Sequence, residues 1–220
     1  MHFESMSKIL IPTNGPENWR SFLADPEKQW RDGYSAKETA HSWETANGLP
    51  PEITTLMGPA SELLLAIPEH KVPMPGRGQA SQCDVFALVR DGQKLIALAV
   101  EAKVAEPFGE TVGRWLSKGG QNRKERVDGI CSLLEIEAPP DHIRYQLLHR
   151  TAAAVVEARH FKADIAAMVI QSFSPEHLWH DDFTAFCDHM GTGSERGKLH
   201  QKALSDGLTL ALGWVTSSVR

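Results

Sequence analysis

Between residues 81 and 103 the chain reads SQCDVFALVRDGQKLIALAVEAK, two apolar stretches separated by a short polar break. Asp91-Gly92 between apolar runs signals a two-residue type I′ hairpin turn, because both turn positions need positive φ. With those residues in the turn, Arg90 faces Gln93 and Asp84 faces Ala99. Side chains alternate along a strand, so the hairpin sorts into two faces. Ala97, Ala99, Glu101 and Lys103 share one face with Asp84, Phe86 and Leu88. Val85, Ala87, Val89, Ile96, Leu98 and Val100 form the other. Apolar residues on both faces mark a central pair of strands, covered on each side.

The rest of the pattern surrounds that hairpin with helices. SAKETAHSWETAN (35–47) reads as a helix, with Ser35 as N-cap, Glu38 three residues on, and Gly48 and Pro50 after its end. Pro59 to Ile67 reads as a second, short helix closed by Pro68, and KVPMPGRGQA is a Pro/Gly loop. A long irregular or partly helical region follows. Asp141 then caps HIRYQLLHRTAAAVVEARHF, the clearest helix in the chain. Ile165 to Phe173 reads as a buried strand and Phe183 to Met190 as a helix. LTLALGWVTS reads as a final strand, with a helix as the alternative. This order predicts one α/β domain over 1–220, with a mixed central sheet flanked by helices.

Composition narrows the setting. At 220 residues the chain can build a substantial core, and its longest apolar runs, Leu63 to Ile67 and Ile96 to Val100, are too short to span a bilayer. Glu4 stands where a signal peptide would carry basic charge, and no apolar stretch follows it. Cys83, Cys131 and Cys187 are widely spaced and odd in number, which argues against a disulfide framework and for a reducing, cytoplasmic location. The net charge of −5 is uneven: residues 71–150 are net positive, and both flanking parts are negative. The positive excess is densest in RWLSKGGQNRKER, where Arg114, Lys118, Arg123, Lys124 and Arg126 make a candidate phosphate-contacting loop. A solvated surface loop is the alternative. An acidic whole predicts weak non-specific affinity for nucleic acid.

The hairpin carries the chemistry. Asp84 lies one diagonal step from Glu101, roughly 7 Å by strand spacing, and Lys103 follows on the same face. Neighbouring carboxylates in a partly buried place repel unless a proton or a cation intervenes. A hard cation such as Mg²⁺ suits oxygen ligands and keeps several waters, and the lysine can reach a metal-bound water or a phosphate. A buried ion pair at the end of a sheet is the alternative.

An Asp, a hairpin of this length and Glu-x-Lys at its end resemble the PD-(D/E)XK nuclease superfamily, the restriction-endonuclease-like fold. Cys83 stands where that pattern usually has Pro. The resemblance covers residues 58–175, with a helical extension over 1–57 and a helix and strand over 176–220. It implies a Mg²⁺ or Mn²⁺ ion held by Asp84, Glu101 and the main-chain carbonyl of Ala102, with Lys103 assisting the attacking water. It also implies an acidic residue on an early helix, which Glu62 in GPASELLLAIP would supply, and a polar helix after the Glu-x-Lys strand. Gln146 and Arg150, four apart on that helix, share one face; Tyr145 and His149 form a neighbouring pair. The activity implied is hydrolysis of phosphodiester bonds in DNA, with a homodimer left open. The alternative is a non-catalytic member of the fold that binds nucleic acid or a protein partner.

Other constellations point less clearly to chemistry. HLWHDDFTAFCDH gathers His177, His180, Asp181, Asp182, Cys187 and His189, but the spacing matches no compact zinc finger or metalloprotease helix. A polar turn leading into an amphipathic helix accounts for it. Gly76-Arg77-Gly78 lacks the strand-to-helix context of a nucleotide-binding glycine loop and reads as a flexible loop beside the site.

Overall fold

The computed structural model describes residues 13–219, in which a six-stranded mixed sheet carries helices on both faces. A 3₁₀ helix (Pro16–Phe22) and helices α1 (Pro26–Gln29), α2 (Ser35–Ala46) and α3 (Pro51–Met57) come first. Strands β1 (Glu62–Val72), β2 (Ser81–Asp91) and β3 (Lys94–Lys103) then form an antiparallel meander. Helices α4 (Val112–Ser117), α5 (Gln121–Leu134) and α6 (Tyr145–Phe161) lead to β4 (Ile165–Ser172), which lies parallel to β3. After α7 (His180–Met190), strand β5 (Leu199–Ala203) takes the far edge, and β6 (Thr209–Thr216) inserts between it and β4.

The two faces of the hairpin separate as the alternation predicts. Val85, Ala87, Val89, Ile96, Leu98 and Val100 pack under Trp19, Trp43 and Ile53 of the N-terminal helices. Phe86, Leu88, Ala97 and Ala99 pack against residues of α5, α6 and α7. The turn differs from the expected one. Asp91 pairs with Lys94, so Gly92 and Gln93 form the turn, with φ 56° at Gly92. Positive φ at the first turn residue, where glycine pays no steric penalty, is the pattern of a II′ rather than a I′ hairpin. The shift moves each partner by two residues, so faces are preserved while Asp84 advances from Ala99 to the position facing Glu101.

The expected helix from Pro59 to Ile67 is instead β1. A bulge between Leu63 and Leu65 breaks the alternation, turning Leu63 and Ala66 to one core and Leu65 and Ile67 to the other. The apolar run therefore shows no period of two. Pro68 is tolerated because β1 is an edge strand, where a missing N–H need not break a ladder.

Three further expectations are corrected. The segment 114–126 is not a loop but runs through α4 and α5 around Gly119 and Gly120. Helix α6 begins at Tyr145, so Asp141 precedes it by a turn and does not cap it. Ser35 is the first helical residue of α2, and its N–H is taken by the Glu106 carboxylate at 3.0 Å. That distant cap ties α2 to the segment leaving β3. The tail forms the expected strand, and among the described residues no helix is long and apolar enough to cross a membrane.

Candidate functional site

The antiparallel ladder of β2 and β3 ends at Val85–Val100, and there the chemistry-bearing residues gather. The Asp84 carboxylate accepts the Ala102 N–H at 2.6 Å, so a side chain takes over where the strand ladder stops. In extended backbone the N–H and C=O of one residue leave on the same edge, so the Ala102 carbonyl is also turned toward β2. A cleft of about 370 Å³ opens at this point, lined by Glu69, Gln82, Asp84, Glu101, Lys103 and Gln146, with the start of α2 across from them.

Glu101 is the anchored member. One oxygen accepts from Lys103 Nζ and from Gln146 Nε2 (2.6 Å), and the other accepts from Arg150 Nε. Burial alone would raise its pKa, but Arg150 and Lys103 outweigh that and hold the carboxyl down at about 2. Arg150, 8 % exposed, also donates to Ser81 Oγ at 2.9 Å. The Ser81 hydroxyl lies 2.8 Å from His149 Nδ1. Burial and the Arg150 charge push the His149 pKa well below its usual value, so the ring is neutral.

Asp84 and Glu69 behave in the opposite way. Glu69 has φ 52°, an uncommon conformation for a residue with a side chain, at the β1 position facing Asp84. Gln82 Nε2 donates to it at 2.7 Å. Burial, then the neighbouring Asp84 charge, pushes Glu69 up to about 8. Burial, then Glu101, pushes Asp84 up to about 7. Asp84 Oδ1 and Glu69 Oε1 accept no hydrogen bond from the described residues.

The structure thus brings together Asp84, Glu101, Ala102, Lys103, Gln146 and Arg150. Glu62 does not join them. It is the exposed first residue of β1, across from Arg90 at the turn end of the hairpin, the opposite end from Asp84. Glu69 stands in the site instead. The sequence carries a faint sign of it, a carboxylate directly after a proline in an apolar run; only the strand assignment gives that sign a meaning.

Of the basic residues, Arg123, Arg126 and Arg150 line a second, larger cleft that shares Gln82 and Arg150 with the first. Arg114 and Lys118 are exposed and both pair with Glu110, and Lys124 is exposed on α5. In the histidine-rich segment, His180 meets the Ser194 carbonyl at 3.0 Å and His177 meets Thr216 at 3.2 Å, while Cys187 is a buried free thiol.

Among the described residues no three His, Cys, Asp or Glu side chains form a ready-made metal cage. The donor set at Asp84 still fits a hard cation of one kind. Two unsatisfied carboxylate oxygens and an edge carbonyl suit Mg²⁺ or Mn²⁺, which keep waters and take further oxygens from a substrate phosphate.

Residues 12–219 match the model of a family described as Domain of unknown function (DUF6946), and the chain belongs to that family. No curated protein matches it, and no solved structure does.

Proposed function

We propose that this protein is a metal-dependent nuclease of the PD-(D/E)XK type that hydrolyses phosphodiester bonds, in DNA as the first substrate to test. The observation that carries this reading is the convergence of Asp84, Glu69 and the Glu101-x-Lys103 pair where the β2–β3 ladder ends. Carboxylates with raised pKa values in a cleft are candidates for function, because a cation or proton must complete them.

Asp84, Glu101 and the Ala102 carbonyl would hold Mg²⁺ or Mn²⁺, with Glu69 as an added oxygen donor. The bound ion would supply an acidified water and neutralise charge on the scissile phosphate. Lys103 brings a cation that is 4 % exposed beside Glu101, where its charge is poorly screened and can stabilise a phosphorane-like transition state. Gln146 bonds Glu101 and borders the cleft, so it can orient a water or a phosphate oxygen. Arg150 acts as a positioning residue by fixing Glu101.

One observation favours a second reading. Both oxygens of Glu101 are already occupied by Lys103, Gln146 and Arg150, which is also how a closed structural ion cluster would look. In that case the domain binds nucleic acid or a protein partner without cutting. A panel of single- and double-stranded DNA and RNA, incubated in Mg²⁺ or Mn²⁺, separates the two. The nuclease reading expects cleavage that chelator abolishes and Asp84→Asn removes; an intact panel favours the binding domain.

A further inference from the structure

Beside the acidic site lies the larger cleft, about 660 Å³, and its lining is chemically one-sided. Four arginines line it (Arg77, Arg123, Arg126 and Arg150) and no Asp or Glu does. Arg150 is neutralised by Glu101, but Arg77, Arg123 and Arg126 form no salt bridge among the described residues. On a chain of net charge −5, such a concentration of uncompensated guanidinium groups selects an anion.

The same wall holds a ladder of flat groups. The Arg123 guanidinium lies 5.5 Å from the Trp115 ring centre. Trp115 and Tyr145 stack at 4.0 Å and 15°, and Tyr145 meets His149 at 4.9 Å. Aromatic and guanidinium planes of this kind are how proteins take up unstacked bases.

Two details of the wall bear on what it could hold. Arg126 is 6 % exposed and donates to Tyr145 Oη at 2.7 Å and to the Gln79 carbonyl, yet its Nη1 is buried without any partner. A buried guanidinium N–H left unpaired is costly, and this one lies a single glycine layer below the cleft, where its charge acts on an anion at the wall. Nη1 lies beneath Gly78, where a Cβ would come within 3.1 Å of it, so glycine keeps the covering layer as thin as backbone allows. His149 supplies a neutral donor. Arg150 Nη1, which can only donate, lies 3.3 Å from His149 Nδ1 as well as 2.9 Å from Ser81 Oγ, so Nδ1 is the acceptor and Nε2 carries the ring proton of a residue that lines the cleft.

We infer that this cleft is a subsite for an unpaired nucleotide, its phosphate on the arginines and its base on the Arg123–Trp115–Tyr145 ladder. Resting on the reading of the acidic site as a nuclease centre, this makes the substrate single-stranded or frayed nucleic acid. Its volume suits one nucleotide, whereas a duplex keeps its bases stacked and paired away from such a wall. The two clefts share Gln82 and Arg150, so the nucleotide here flanks the phosphate at Asp84.

Fluorescence anisotropy in chelator measures this without cleavage, using labelled short DNA and RNA strands of mixed sequence and the matching blunt duplexes. Either strand should bind at least about tenfold tighter than its duplex, and whichever strand binds better identifies the sugar preferred. Trp115→Leu should weaken strand binding about tenfold. Arg123→Ala, at a half-exposed position that folding can spare, should weaken it and flatten its salt dependence. Equal or tighter binding of duplex, or wild-type strand affinity in folded Arg123→Ala and Trp115→Leu, would overturn the subsite. Cleavage of duplex without strand preference would remove the subsite and keep the nuclease. Strand binding that depends on Arg123, with no cleavage in any metal, would keep the subsite and remove the nuclease.

Discussion

Glu69, held at φ 52° on the edge strand, faces Asp84 across β1 and β2, and both carboxyls open onto one cleft. Both pKa values are raised, to about 8 and about 7, so the folded state holds these protons more tightly than the unfolded chain does. The stability this gives is fully present below the unfolded carboxyl range near pH 4 and is lost as pH rises through 7 and 8. Glu101, lowered to about 2, acts only at the acid end, where stability falls as pH drops below 4.

Thermal unfolding in chelator should therefore show a falling midpoint between pH 5 and pH 8, across the range set by those two groups. Glu69→Gln should flatten the decline and raise the midpoint at pH 8, and added Mg²⁺ or Mn²⁺ should stabilise the wild type most at the alkaline end. A midpoint that is flat or rises through this range would contradict the mutual strain of the two carboxyls.

The hairpin shows what was legible from sequence and what was not. Alternation alone assigned every residue of β2 and β3 to its face, because a shift of two in register leaves side-chain parity unchanged. The choice between I′ and II′ turns depends on which dipeptide carries the bend, and Asp91-Gly92-Gln93 admits both. Glu62 reads as a helical residue for a different reason: the bulge at Leu64 and the edge-strand Pro68 together imitate a short helix. Helices α4 and α5 were hidden by their polar composition, since much of Arg114 to Glu125 faces solvent and leaves a weak apolar period.

Arg150 and Gln146 both bond Glu101, but burial separates their roles. Arg150→Met removes one of the two cations paired with a buried carboxylate and leaves Ser81 with His149 alone, and should cost about 3 kcal/mol in urea unfolding. Gln146→Ala, at a half-buried position with one hydrogen bond, should cost about 1 kcal/mol. Equal costs would mean that Arg150 is not what holds Glu101 in place.

Glu106 receives the N–H groups of Ser35, Val104 and Ala105, joining the start of α2 to the exit of β3 on the rim of the cleft. Glu106→Ala should lower stability by about 1 kcal/mol, as loss of a helix cap does. Hydrogen exchange should quicken at the first turn of α2 while α6 stays protected. Unchanged exchange in α2 would show that the remote cap is not needed there.

Lys103 gives the most direct measurement. Methionine keeps most of its buried stem and removes the charge, so Lys103→Met should fold and bind Mn²⁺ as the wild type does. The wild type should cut a nucleic acid in Mn²⁺, and Lys103→Met should cut it at least about 100-fold more slowly, the effect of removing one charge aimed at a transition state. Cleavage by Lys103→Met at the wild-type rate, or a wild type that cuts nothing on the DNA and RNA panel, would contradict a catalytic centre at the end of this hairpin.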